Sequence, residues 1–221
     1  VPYCWDGTNA ATYNYLTTSA PTVTLSTPSN LSDVVAVASS ETATISSLVN
    51  DAAPLTASKG AQVWQITVRD GGSTMNDADK LPTIVTGFTL TQNTGNQIGD
   101  WSEAIKTIAL FDGTTWIANA SSITATTIVF SGLSISVNDN ESKTLSLRLS
   151  LNSTLNNVGT GNLDGDDFVF NLTNSNITAL NDGTSSSFTS FTQASSTNGQ
   201  NAVSVEATKL LFGQQPSNVV T

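Results

Sequence analysis

Histidine is absent from this sequence, and its absence removes several classes of chemistry at once. Imidazole acid–base catalysis, Ser-His-Asp and Cys-His nucleophiles and the commonest zinc sites all require that side chain. Cysteine occurs once, at Cys4, so the chain cannot form an internal disulfide. We interpret Cys4 as a small buried apolar residue or as a link to another chain.

Positive charge is scarce as well. Seven Lys and Arg residues stand against seventeen Asp and Glu residues, which gives a net charge of −10 at pH 7. Because nucleic-acid binding requires basic side chains to neutralise phosphates, this balance argues against nucleic acid and against an anionic membrane as partners. No apolar run reaches the length of a membrane span, so we expect no membrane insertion.

The carboxylates of the sequence do not indicate an enzyme. With imidazole excluded, catalysis would depend on paired carboxylates such as those that flank a sugar in glycosidases. Glutamate occurs at four positions whose spacing singles out no pair: Glu41, Glu103, Glu141 and Glu206. We therefore expect a protein that is not an enzyme.

The sequence is rich in patterns typical of β-strands. Residues 62–92 read as strand, acidic loop and strand, with Gly87 as an expected kink or bulge. Residues 143–152 alternate most regularly, which predicts that the leucines face the core and that Ser146, Arg148 and Ser150 face solvent. The residues predicted to pack between two sheets are Trp64, Ile66, Val68, Phe88, Leu90, Leu145, Leu147, Leu149, Phe168 and Phe170.

One segment fits two kinds of structure. Residues 103–111 have a spacing that suits a short helix, but they alternate and lead through Asp112-Gly113 into a second alternating run, which favours a hairpin. With the other runs this makes about a dozen strands. The sequence therefore predicts an all-β fold, an antiparallel β-sandwich of the immunoglobulin-like or jelly-roll-like type.

Composition divides the chain into three parts. Residues 1–19 are an aromatic and polar N-terminal arm, for which the alternative is a terminal strand packed on its own domain. Residues 20–205 are predicted to form the β-sandwich domain. Residues 206–221 are predicted to be a C-terminal strand or the start of a following immunoglobulin-like repeat.

Five stretches combine strands and turns in a distinctive way: AQVWQITVRDGG, NDADKLPTIVTGFTLTQ, IALFDGTTWIA, VFSGLSISVNDNESKTLSLRLSL and GNLDGDDFVFNLTNSNIT. They resemble the β-sandwich modules of very large secreted surface proteins of Bacteroidetes-type bacteria. The ending ATKLLFGQQPSNV resembles the opening strand of the immunoglobulin-like repeats that follow such modules. The resemblance covers roughly residues 20–221 and excludes the aromatic arm. It implies an extracellular, non-catalytic adhesin or stalk role.

Three acidic clusters are candidate calcium sites, since crowded carboxylates are unfavourable unless a cation or hydrogen-bond donors offset their repulsion. None matches the spacing of an EF-hand loop, and the alternative is a solvated turn. The second cluster, residues 138–141, is the weaker candidate. The predicted metal ligands come from the first cluster, which is Asp70, Asp77 and Asp79, and from the third cluster, which is Asp164, Asp166 and Asp167.

Aromatic and apolar residues give candidate binding surfaces. Trp101, which lies in a polar stretch and is expected to be exposed, and Trp116 are candidates for stacking against a sugar or partner, although core packing is the commoner role of tryptophan. Strand addition between copies is a further hypothesis, and its alternative is an intramolecular last strand. The residues predicted for self-association are Tyr3, Trp5, Val203, Val205 and Leu211.

These observations predict a secreted, extracellular structural or adhesion module. It would be a building block of a bacterial surface adhesin or filament, joined head to tail with copies of itself or with neighbouring domains of a longer chain. The alternative is a calcium-dependent carbohydrate-binding module whose partners are surface glycans.

Overall fold

The structure is a computed structural model that describes residues 26–155, 161–189 and 191–207. These residues are almost all strands and loops, so the predicted all-β class is confirmed. The strands are β1 (Asp33–Ala36), β2 (Thr44–Ser46), β3 (Ala61–Arg69), β4 (Thr83–Gln92), β5 (Ile105–Asp112), β6 (Thr115–Asn119), β7 (Ser122–Ile123), β8 (Thr127–Val137), β9 (Ser142–Leu151), β10 (Phe170–Leu172), β11 (Ile177–Ala179), β12 (Ala194–Ser195) and β13 (Ala202–Ser204). The helical segments are α1 (Trp101–Ala104) and two 3₁₀ turns, Gly72–Thr74 and Asn174–Asn176.

The strands form two antiparallel sheets that face each other. The first sheet has the order β1-β3-β9-β5-β6, and the second has the order β12-β10-β4-β8-β7 with β11 also paired to β4. A separate parallel pair joins β13 to β2. This arrangement confirms the predicted antiparallel sandwich of about a dozen strands.

The space between the sheets is filled by one apolar cluster that contains every residue predicted for the core. Leu147 lies at its centre, opposite Trp64 of β3 and Leu110 of β5. Phe170 contacts two tryptophans, with ring centroids 6.4 Å from Trp64 and 5.2 Å from Trp101. Because full burial of one such side chain contributes about 1.5–3 kcal/mol, this cluster dominates the stability of the fold.

The outer face of β9 differs from the prediction. Its leucines are buried as expected, but the prediction that Ser146 and Ser150 face solvent is wrong. The Ser150 hydroxyl donates to the Asp51 carbonyl at 2.6 Å, and the Gln65 amide donates to the Ser146 hydroxyl at 2.8 Å. The loop that precedes β3 and contains Asp51 therefore covers part of this face, and the short hydroxyl side chains of β9 fit beneath it.

Two local predictions are confirmed. The pairing of β4 with β8 shifts register between Val85 and Gly87, as expected of a bulge. A Cβ atom at Gly87 would lie 2.8 Å from the Phe130 carbonyl oxygen, which explains the glycine. The segment after α1 is a strand, β5, and it forms the predicted hairpin with β6.

The two ends of the sandwich can be told apart by the register of β3. At one end Arg69 pairs with Asp33 and Ser142, and we call this the acidic end; at the opposite end Ala61 pairs with Leu149. The described chain enters at the acidic end, where the Ser32 hydroxyl contacts the Thr83 hydroxyl at 2.6 Å.

The last described residues lie at the other end of the sandwich. There β13 pairs with β2, and the amide of Leu151, the last residue of β9, donates to the Val49 carbonyl at 2.7 Å. The Glu206 amide donates to the Ser47 hydroxyl at 2.9 Å. Entry and exit are therefore separated by the length of the long strands. No helix in the described part of the chain is long and apolar enough to cross a membrane.

Candidate metal centre

Asp70 is the buried carboxylate at the centre of the acidic end. It follows β3, and its side chain is fully enclosed. One oxygen accepts the Thr83 hydroxyl at 2.6 Å and the other accepts the Asn140 amide at 3.0 Å. Since Thr83 opens β4 in the second sheet, Asp70 joins the two sheets at this end.

The electrostatic environment of Asp70 disfavours its charge. Burial raises the pKa of Asp70, and the nearby carboxylates of Asp77 and Asp79 raise it further, while the hydrogen bonds from Thr83 and Asn140 act in the opposite direction. The net shift of the pKa is upward, because these two hydrogen bonds do not fully offset burial and the repulsion of the neighbouring carboxylates.

The turn between β8 and β9 brings a third carboxylate, Asp139, to this place. Asn140, the next residue, has a left-handed backbone with φ of 58° and uses its side chain in two directions. Its oxygen accepts the Asp77 amide at 2.8 Å, and its nitrogen donates to Asp139 at 2.9 Å. As a result, one oxygen each of Asp70, Asp77 and Asp139 lie within 4.8 Å of one another.

Asp77 differs from its neighbours in having no hydrogen-bond donor. Both of its carboxylate oxygens are closed off from solvent, and no described residue donates to either one. A buried carboxylate without donors is unfavourable, because desolvation of the charge is not compensated. The arrangement can therefore accept a cation, which would satisfy these oxygens.

Asp79, predicted as a ligand with Asp70 and Asp77, has a different role. Burial disfavours its charge, but hydrogen bonds from the Leu81 amide, the Ser29 amide and the Ser186 hydroxyl together outweigh this effect and hold the pKa of Asp79 below its ordinary value. Leu81 donates at 2.8 Å and Ser186 also at 2.8 Å. Both oxygens are thus occupied by donors, and Asp79 anchors the entering chain to the loop before β12.

The only cation that contacts the cluster in the described residues is Lys80. Its ammonium lies 3.6 Å from Asp139, and its side chain is 76% exposed. Solvent screens such a pair, and a flexible lysine contributes little to it. Among the described residues, cationic side chains therefore offset little of the negative charge of the three carboxylates.

The third predicted cluster does not converge. Asp164 is exposed and accepts the Val205 amide at 2.8 Å, whereas Asp167 is buried and accepts the Gly199 amide at 2.6 Å. Asp166 is partly exposed. In the ranges that the structure describes, the group of three acidic residues placed to share an ion is that of Asp70, Asp77 and Asp139. Asp164 and Asp167 instead hold the last described strand in place.

The two tryptophans proposed as a binding surface lie in different environments. The prediction that Trp101 is exposed is wrong: it is 0% exposed, and its indole donates to the Asn96 side chain at 3.1 Å. Asp100 caps α1 and so turns Trp101 toward Phe170 in the core. Trp116, in edge strand β6, is 45% exposed and donates to Asn119 at 3.2 Å.

The residues predicted for self-association are likewise divided. Val203 is buried in its own domain, where it pairs with Ile45, so it is not available to a neighbouring copy. Val205 is exposed. Tyr3, Trp5 and Leu211 lie outside the described residues, as does the whole of the predicted arm 1–19.

No family model, no curated protein and no solved structure matches this chain.

Proposed function

We propose that this protein is a secreted, non-catalytic structural or adhesion module, a building block of a bacterial surface adhesin or filament. The observation that carries the proposal is that the first described residues lie at the acidic end of the sandwich and the last described residues lie at the opposite end. The two ends are separated by the eight steps of β3, about 26 Å at 3.3 Å per residue. Domains whose two chain connections lie at opposite ends can be arranged in line, and they can transmit force along their strands.

The positions of exposed apolar side chains support contacts between successive modules. Of the five large exposed ones among the described residues, four lie at the two ends of the sandwich. Leu31 and Met75 are at the acidic end, and Leu48 and Val205 are at the opposite end. Exposed apolar groups gathered at two opposite surfaces suit a head-to-tail contact, which extends into a filament when its symmetry does not close.

The broad outer faces of the sheets differ in composition from the two ends of the sandwich. Their exposed hydroxyl groups bind to each other across strands, as Thr67 does with Thr144 at 2.8 Å and Thr86 with Thr178 at 3.0 Å. Such cross-strand pairs each stabilise a sheet by roughly 0.2–1 kcal/mol. These faces therefore contribute to stability with little charge, as expected of a structural domain.

The proposal is tested by pulling single molecules of the full chain through handles at both termini. We expect one cooperative unfolding event at a force that depends on loading rate, because the load runs between opposite ends of one packed core. A chain that extends gradually, without a resolved event, would contradict a load-bearing role.

A calcium-dependent carbohydrate-binding module is the second candidate, and the exposure of Trp116 favours it. An indole fixed at a sheet edge by Asn119 can stack against a sugar ring. The test is a glycan array with the full chain, in calcium and in chelator. Saturable binding that Trp116→Ala removes would favour this function, and the structural module predicts no saturable binding. Trp116→Phe is the matched control, since it keeps an aromatic face.

A further inference from the structure

We propose that Asp70, Asp77 and Asp139 form a calcium site that fastens the β3–β4 loop to the β8–β9 turn. This site lies at the acidic end alone and does not depend on whether the domain assembles with others. It replaces Asp79 of the sequence-based prediction with Asp139, a residue 62 positions further along the chain than Asp77.

The distances agree with a shared ion. Calcium binds oxygen at about 2.3–2.6 Å, so two oxygens on one ion are at most about 5 Å apart. The three carboxylate oxygens lie within 4.8 Å of one another. They come from two loops that the pairing of β3 with β9 holds side by side, with Arg69 opposite Ser142. The ligand set is therefore positioned by the sheet and not by one flexible loop.

Asp77 provides the independent observation. Its two oxygens are buried and receive no hydrogen bond from any described residue, whereas Asp79, two residues away, has donors on both oxygens. The Asp77 amide is itself held by Asn140, which keeps this residue beside Asp139. Since a buried charge without donors is unfavourable, the missing partner of Asp77 is best supplied by a cation.

The chemistry of the ligands selects calcium among common ions. All three ligands are carboxylates, and the chain contains no histidine, so the nitrogen and sulfur ligands preferred by zinc are not offered here. Magnesium demands near-ideal octahedral geometry at shorter distances, whereas calcium accepts irregular sets of six to eight oxygens. Water and nearby carbonyl groups can complete such a set.

The ammonium group of Lys80 does not supply the positive charge that the three carboxylates require. Its ammonium lies near one carboxylate, Asp139, and stays largely exposed. A calcium ion between the two loops would instead contact all three carboxylates. Lys80 would then be displaced toward solvent at little cost, because an exposed ion pair contributes little.

The experiment measures calcium binding to the full chain after treatment with EDTA and buffer exchange. Calorimetry with CaCl₂ should give one saturable site per chain, and the melting temperature should rise by several degrees in excess CaCl₂ and much less in excess MgCl₂. Absence of saturable calcium binding to the folded protein overturns the proposal, as does an unchanged melting temperature.

Three variants locate the site. Asp77→Asn and Asp139→Asn should each weaken calcium binding by more than about tenfold, the lower bound for losing even an indirect contributor to a metal site. In EDTA both should melt at or above the wild-type temperature, because each removes like-charge repulsion. A merely structural role predicts the reverse in EDTA. Asp164→Asn, in the cluster that does not converge, is the matched control and should bind calcium like the wild type.

The outcomes separate the two ligand sets. Full calcium affinity in Asp139→Asn overturns the assignment of that residue. Loss of binding in Asp164→Asn, with binding kept in Asp77→Asn, would place the ion in the third cluster and also overturn it. Circular dichroism of each variant in EDTA confirms that the chain compared is folded.

Discussion

The middle of the sandwich and its acidic end are stabilised in different ways. In the middle, leucines of β9 and aromatic residues of β3 and β10 pack without any required hydrogen bond. At the acidic end, the enclosed carboxylates of Asp70 and Asp79 depend on particular donors. Those donors are distant in sequence: Thr83 is 13 residues from Asp70, Asn140 is 70 residues from Asp70, and Ser186 is 107 residues from Asp79.

The difference determines what each region tolerates. Burial of apolar surface is non-directional, so the middle depends on volume and shape. The hydrogen bonds that enclosed carboxylates accept are directional, and the removal of one partner leaves the other group unsatisfied. The middle therefore fixes most of the stability of the fold, and the acidic end fixes how the loops and the entering segment are arranged.

The largest expected effect is in the middle. Leu147→Ala should lower the free energy of unfolding by about 2–5 kcal/mol, because it leaves a cavity between Trp64 and Leu110. Urea denaturation followed by tryptophan fluorescence measures it. Thr144→Ala, on the exposed face of the same strand, is the matched control and should change stability by about 0.5 kcal/mol or less. Equal effects of the two substitutions would mean that the middle is not the main source of stability.

A smaller effect is expected at the acidic end. Asp79→Asn should cost about 1–3 kcal/mol, because an amide nitrogen would face one of the donors that now bind the carboxylate. Hydrogen exchange should quicken at the amides of Ser29 and Leu81, which Asp79 accepts, and stay slow in β9.

The control for this substitution is Asp182→Asn, which alters an exposed carboxylate that caps its own turn at Thr184. We expect no change in exchange near Ser29 in that variant. If Asp79→Asn destabilised the protein more than Leu147→Ala, the comparison between the two regions would be reversed. If it left exchange at Ser29 unchanged, Asp79 would not be the anchor of the entering segment.

The middle could be predicted from sequence because its information is local. Alternation along β9 identified the leucines of the core, and a glycine in an apolar run identified the bulge at Gly87. Alternation describes only one strand, however. It could not reveal that the loop containing Asp51 covers Ser150, nor that the cap at Asp100 turns Trp101 inward despite its polar neighbours.

The acidic end could be predicted only in part. Proximity in sequence identifies Asp70 and Asp77 as ligands, but it also groups Asp79 with them. The carboxylate of Asp79 is instead occupied by donors from distant segments, Ser29 and Ser186. Asp139 was in the weaker cluster because its relation to Asp77 depends on the register of β3 and β9. The sequence does contain a signal for this relation. Both β3 and β9 alternate strongly, and an antiparallel pairing of the two strands places the loop after β3 beside the turn before β9.

The smallest expected effect on stability concerns the end opposite the acidic one. Glu206 contacts the described fold through the hydroxyl groups of Ser46 and Ser47, which lie near the surface. Deletion of residues 206–221 should therefore leave the fold intact, with a loss of stability of about 1 kcal/mol from these two contacts. Val205, whose amide Asp164 accepts, stays in place.

The same deletion should have a large effect on assembly, in contrast to its small effect on stability. If strand addition through residues 206–221 joins copies, full-length protein should form larger species as its concentration rises, and the deletion variant should sediment as a monomer. Val205→Ser in the full chain is a milder variant that removes one exposed apolar contact and should weaken association without abolishing it. Full-length protein that sediments only as a monomer at high concentration would contradict assembly through this end.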